Sequence, residues 1–107
     1  LPGVAAYAAV KAALISHAKS MAMELAPKGI RVNCVAPGSI DFPGGFWENV
    51  HQNQPAFYDM VVSTIPFGRM GRPEEVANAV VFLASGKASW VSGVTLAVDG
   101  VQHKGNL

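Results

Sequence analysis

The sequence predicts an α/β fold, the closing part of a parallel sheet whose strands are joined by helical crossovers. Three observations predict it. Segments of helical character alternate with short strand-like runs, in the order helix, strand, mixed segment, helix, strand. A helix falls between the two strands, as a crossover connection requires. Hydrophobic residues make up 50% of the 107 residues and charged ones only 14%, so more than one face of most elements should be covered.

The first helix is predicted from about Ala5 to Ala26. The stretch is rich in strong helix formers, has no interior proline, and stops at "APKG", where Pro27 and Gly29 act as breakers. It is apolar nearly all round, which predicts packing on more than one side. "IRVNCVA", Ile30 to Ala36, alternates Ile30, Val32 and Cys34 with Arg31 and Asn33 and reads as a buried or half-buried strand. "PGSIDFPGG" follows as a loop punctuated by Pro37, Gly38, Pro43, Gly44 and Gly45. Phe46 to Phe67 is aromatic and broken by Pro55 and Pro66, which suggests one or two short helices; with its flanks, about residues 41–68, it reads as a lid. In "GRPEEVANAVVFLAS", Pro73 suits the first helical position, and Glu74 and Glu75 lie where the helix dipole favours negative charge. Val94 to Val98 is the last strand and Asp99-Gly100 its turn.

The net charge is +1 with no basic run, which argues against a nucleic-acid partner. Apolar runs such as "VVFLA" fall far short of the roughly 18 residues of a membrane span. The single cysteine, Cys34, excludes an internal disulfide framework and a cysteine-only metal site. His17, His51 and His103 have no metal spacing with each other or with Cys34, so no metal is expected. No signal peptide is visible, and "LPGVAA" reads as a loop entered midway; a reducing, cytoplasmic setting is the default expectation.

The chemistry-bearing feature is "YAAVK". Tyr7 and Lys11 are four residues apart, hence neighbours on one helix face. An ammonium about 4 Å from a phenolate, at an effective dielectric of about 20, attracts it by roughly 4 kcal/mol. A coupling of that size can turn a phenol into a useful acid/base near neutral pH. Spacing by itself also fits a snorkelling lysine beside a packing tyrosine, and taken alone favours it.

The neighbouring motifs decide otherwise. "YAAVKAAL", "ELAPKGIRVNCVAPGSI", "GRPEEVANAVVFLAS" and "VSGVTLAVDG", in this order across nearly the whole chain, strongly resemble the C-terminal half of a short-chain dehydrogenase/reductase. The resemblance implies a Rossmann-like, doubly wound parallel sheet with NAD or NADP at the carboxyl ends of its strands. It implies Tyr7 as the acid/base on the substrate oxygen. Lys11 would ease the ionisation of that phenol and hydrogen-bond the nicotinamide ribose. Pro37 and Gly38 would let the backbone approach the nicotinamide, whose carboxamide would bond the backbone of Ile40. It further implies a small-molecule carbonyl or alcohol as substrate and a homo-oligomer, tetramer or dimer, with Trp90 near a subunit contact.

Two positions depart from the family pattern. Phe42 stands where a threonine is common, so a hydroxyl contact is lost or supplied elsewhere, for example by Ser39; "VDGV" replaces the more usual double glycine. The glycine-rich phosphate turn and the catalytic serine of the family lie upstream of its tyrosine, and this chain contains no G-x-G-x-x-G. Residues 1–107 are therefore expected to be the C-terminal portion of a single oxidoreductase domain, without the N-terminal dinucleotide-binding half and inactive alone. Asp41 and Glu48 could meet a substrate or be solvated loop charges. Phe46, Trp47, Phe57, Tyr58 and Met60 could line an apolar pocket or form the lid's own small core. Arg69 and Arg72 should position the segment before the helix. Two rival readings stand beside the oxidoreductase: a non-catalytic α/β piece acting in subunit assembly, and a relative doing epimerase or dehydratase chemistry.

Overall fold

The computed structural model describes residues 4–105. Helix α1 runs from Val4–Leu25 and ends in a single 3₁₀ turn, Ala26–Lys28, closed by Gly29 in the left-handed region at φ 73°. Strand β1 (Cys34–Pro37) is followed by α2 (Phe46–Asn53), α3 (Pro55–Ser63), α4 (Pro73–Ala84) and strand β2 (Thr95–Val98). The two strands pair in parallel, Cys34 opposite Thr95 and Pro37 opposite Val98. A parallel pair needs a crossover, and α4 lies within it.

The first strand is shorter than its sequence pattern suggests. Residues 30–33 do not join the ladder, because their partners are loop groups rather than a strand. The Arg31 guanidinium donates to the carbonyls of Leu83, Ser85 and Val91 at 2.6, 3.1 and 3.2 Å. Asn33 donates to the Val91 carbonyl at 3.0 Å and accepts from the Val94 N–H at 3.1 Å. The polar residues that look like the solvent face of a strand are struts: Arg31 satisfies carbonyls that the end of α4 leaves without helical partners.

The segment read as a lid forms two helices, α2 and α3, with Pro55 at the first position of the second. Its aromatics pack on one another: Phe46 meets Trp47 edge-on at 5.0 Å, and Trp47 stacks on Phe57 at 6.1 Å. At the start of α4, the Glu75 carboxylate accepts from the Arg72 N–H at 3.0 Å while the Glu75 N–H donates to the Arg72 carbonyl.

Among the described residues the buried apolar ones are few: Ala22, Val50, Ile65, Met70, Leu83 and Ala88. The sequence predicts α1 packed on more than one side, yet within this chain Val10, Leu14 and Met23 stay exposed and only Ala22 of α1 is buried. The radius of gyration is 16.0 Å, against about 13 Å for a compact domain of this length. The chain does not itself provide the surfaces that would cover α1.

Candidate functional site

Tyr7 and Lys11 project from one face of α1, one turn apart, with the Lys11 Nζ over the phenol ring at 5.4 Å from its centroid. Tyr7 is 65% exposed, and neither its hydroxyl nor the Lys11 ammonium has a hydrogen-bond partner among the described residues. Both line a cleft of about 690 Å³ between α1, through Tyr7, Lys11 and Leu14, and β1, through Cys34, Ala36 and Pro37. The helix thus holds an acid/base candidate and a cation in a cleft whose other wall is β1 and the residues just before it. A ligand that displaced water from around the pair would strengthen the attraction between a phenolate and the ammonium.

Gly38 and Ile40 do not line that cleft, although Pro37 does. They occupy the continuation of β1. The Gly38 N–H donates to the Val98 carbonyl at 3.0 Å, extending the ladder by one bond. A Cβ on Gly38 would lie 2.6 Å from the Asp99 Cβ and 2.9 Å from its Cα, so glycine is needed here to let the turn after β2 close against the loop.

Ile40 forms an isolated parallel bridge with Gly71: the Gly71 N–H donates to the Ser39 carbonyl and the Asp41 N–H to the Gly71 carbonyl, both at 2.9 Å. These bonds use the outer groups of the two peptide planes flanking Ile40. Since each plane holds its N–H and C=O antiparallel, the N–H and C=O of Ile40 itself point away from Gly71. Neither has a partner among the described residues. A donor and an acceptor side by side are what a primary carboxamide would complement, so these residues fit the nicotinamide end of a dinucleotide.

Around this strand end lie groups that sequence reasoning placed only loosely. Asp41 accepts from the Tyr58 hydroxyl at 2.9 Å, tying α3 to the loop after β1, and His51 stacks on Tyr58 at 4.0 Å. Burial, aided by the Asp41 carboxylate, pushes the Tyr58 phenol up from its ordinary value. Glu48 accepts from the Gly44 N–H at 2.7 Å. Phe42, in the position of the missing hydroxyl, lays its ring on Gly45. The Ser39 hydroxyl accepts from Gln102 at 2.9 Å, a contact 63 residues distant for which the sequence carries no local signal. Cys34 is a free, half-buried thiol. Among the described residues no group of three or more His, Cys, Asp or Glu is placed to hold a metal ion, and no helix is long and apolar enough to cross a membrane.

Arg69 and Glu75 bracket Gly71 and hold each other through two bonds, 2.8 and 2.9 Å. The Arg69 hydrogen bonds, with that from the Arg72 N–H, lower the Glu75 carboxyl from 4.5 to about 2. A carboxyl lowered on folding stabilises above its unfolded value and loses that contribution as pH falls. The difference in denaturation midpoint between wild type and Glu75→Gln should therefore be constant above about pH 5 and vanish as pH falls from 4.5 through 2. A difference that does not change over that range would show that the ion pair contributes nothing. The pair is exposed, so the effect is small.

Comparison with known proteins completes the description. The family described as enoyl-(acyl carrier protein) reductase matches residues 1–101. The isoepoxydon dehydrogenase patN of Penicillium expansum is 46% identical over 101 residues, 94% of this chain and 39% of its own length. An oxidoreductase of the short-chain dehydrogenase/reductase family from Burkholderia thailandensis superposes with a TM-score of 0.83 at 40% identity, over 94% of this chain and 38% of that one. YwfH, an NADPH-dependent reductase involved in bacilysin biosynthesis, gives 0.78 at 38% identity, over 89% of this chain and 38% of its own. The chain thus spans about two-fifths of the length of the relatives it matches.

Proposed function

Because the chain belongs to the enoyl-(acyl carrier protein) reductase family of short-chain dehydrogenases/reductases, we propose that the full-length protein is an NAD(P)-dependent oxidoreductase interconverting an alcohol and a carbonyl. The observation that carries this reading is the Tyr7–Lys11 pair, without hydrogen-bond partners among the described residues, in the cleft between α1 and β1. Tyr7 is the acid/base: its hydroxyl gives a proton to the substrate oxygen in reduction and takes one in oxidation. Lys11 steadies the phenolate left behind and offers its other donors to the ribose hydroxyls of the cofactor, a role suited to a compact cation with three N–H groups. The unpaired N–H and C=O of Ile40 hold the carboxamide, and Pro37 and Gly38 shape the strand end that brings them there. The nicotinamide, when bound, supplies or accepts the hydride.

Helices α2 and α3 serve as a lid over a small-molecule substrate. Residues 1–107 are the C-terminal portion of one Rossmann-like domain, and the dinucleotide's phosphates are held by residues outside this chain. The setting is cytoplasmic. A homo-oligomer, tetramer or dimer, is proposed with Trp90, 99% exposed, near a subunit contact.

Nicotinamide absorbance, followed while the full-length protein turns over a carbonyl compound, tests the reading. Oxidation of NADH or NADPH in step with alcohol formation is expected. Product formed without net change in absorbance would replace it with epimerase or dehydratase chemistry. The exposed apolar residues of α1 favour one second reading, a part acting in subunit assembly with its Tyr7–Lys11 pair idle; failure to bind either dinucleotide would support that one.

A further inference from the structure

We infer that Gln102 is a positioning residue: through Ser39 it fixes the strand end on which Ile40 presents its backbone to the nicotinamide, an inference resting on the cofactor reading above. Its amide holds Ser39 by two bonds. The Gln102 Oε1 accepts from the Ser39 N–H at 2.8 Å, and its Nε2 donates to the Ser39 Oγ at 2.9 Å. Backbone and side chain of one residue are thereby fixed together, which a water molecule at the same place would not enforce.

The geometry links this grip to Ile40 directly. Gly71 pins the two peptide planes around Ile40, through the Ser39 carbonyl and the Asp41 N–H. The plane before them, carrying the Ser39 N–H, has Gln102 as its partner. With Gln102 in place, three successive planes from residues 38 to 41 are held, and the Ile40 N–H and C=O have one direction. Without it, the plane carrying the Ser39 N–H loses its own partner, and only its neighbours hold it, through the Gly38 N–H bond to Val98 on one side and the Gly71 bonds on the other.

The turn that delivers Gln102 is itself under strain. Val101 has φ 68°, the left-handed region that a β-branched residue avoids. It is held there by Asp99, whose carboxylate accepts from the Val101 and His103 N–H groups at 3.0 and 2.9 Å, and by Lys104, which donates to the Val101 carbonyl at 2.9 Å. Strain of this kind persists where surrounding structure over-determines it, and it concentrates at functional sites. Here its local result is the placement of the next side chain, Gln102, against Ser39. Nothing in the Tyr7–Lys11 chemistry calls for this turn: Gly100 and Lys104 tie it to the segment after α3, through the Phe67 N–H and the Thr64 carbonyl, while Asp99 and Gln102 seat it against the loop that carries Ile40.

The test compares ligands with and without the nicotinamide. In the full-length protein, titration calorimetry measures the affinity of wild type, Gln102→Met and Gln102→Glu for NADH, NADPH, ADP-ribose and 2′-phospho-ADP-ribose. Gln102→Met keeps the side chain's length and removes both bonds. It should weaken the reduced dinucleotide roughly tenfold, about one lost hydrogen-bonded contact, and change the ribose ligands less than twofold. Gln102→Glu should retain wild-type affinity, because its carboxylate still accepts from the Ser39 N–H and the Ser39 hydroxyl can turn to donate to it. Equal weakening of both ligand types, or of neither, overturns the inference. Should Gln102→Met lose its circular dichroism, Gln102→Ala is read by the same criterion. Wild type binding the dinucleotide no better than its ribose fragment would overturn the cofactor reading itself, and the role of Gln102 with it.

Discussion

Replacing Tyr7 by phenylalanine in the full-length protein should lower turnover by about 10³-fold and leave dinucleotide affinity and unfolding temperature near wild type, if Tyr7 is the proposed acid/base. The size is that of losing a positioned general acid/base. The separation from stability follows from the surroundings of the side chain. Tyr7 is largely exposed and its hydroxyl has no protein partner among the described residues, so removing one oxygen leaves no donor or acceptor stranded. The ring, which lies under the Lys11 ammonium, is retained. Steady-state kinetics with calorimetric binding in parallel separates the possibilities. Turnover that survives the substitution removes Tyr7 from the chemistry; turnover lost together with folding would assign it to packing.

Gly38→Ala is expected to destabilise the protein by about 2 kcal/mol or more, the range of overpacking a close contact. The added methyl would stand 2.6 Å from the Asp99 Cβ, 2.7 Å from the Gln102 Oε1 and 2.9 Å from the Asp99 Cα. Only the Gln102 atom belongs to a side chain with freedom to swing away. The Asp99 Cα follows directly on β2, where Val98 pairs with Pro37 and its carbonyl accepts from the Gly38 N–H. Either that bond breaks or the turn lifts off Ser39. Chemical denaturation of the full-length protein should show a lower midpoint, with weakened dinucleotide binding. An unchanged midpoint would mean that the turn yields without cost, contrary to the packing described.

Helix α1 was legible almost to the residue, Ala5–Ala26 in the sequence against Val4–Leu25 in the structure, because an unbroken run of helix formers ends in a proline and a glycine that an α-helix interior disfavours. Pro73 with Glu74 and Glu75 marks the start of α4 for equally local reasons. The start of β1 was not legible. Alternation from Ile30 looks like strand periodicity, but Arg31 and Asn33 reach across about sixty residues to the chain around α4 and β2. Gly38 could be seen as a turn signal, whereas its neighbour, Asp99, could not. The Tyr7–Lys11 face follows from helical spacing alone; the Ser39–Gln102 contact has no such spacing behind it. Local rules place side chains along an element. They do not say which distant loop an exposed polar group will meet.

The long span of that last contact bears on how the molecule matures. A loop closed by groups 63 residues apart cannot take its final shape until β2 and the turn after it are in place, because the partner group arrives with them. Partly folded molecules would possess the phenol and its cation on a ready-made helix, yet would not recognise the nicotinamide. Dinucleotide would then bind only the finished form and draw the population toward it by mass action. Recognition of the coenzyme would serve as an internal signal that the polypeptide has reached its end state.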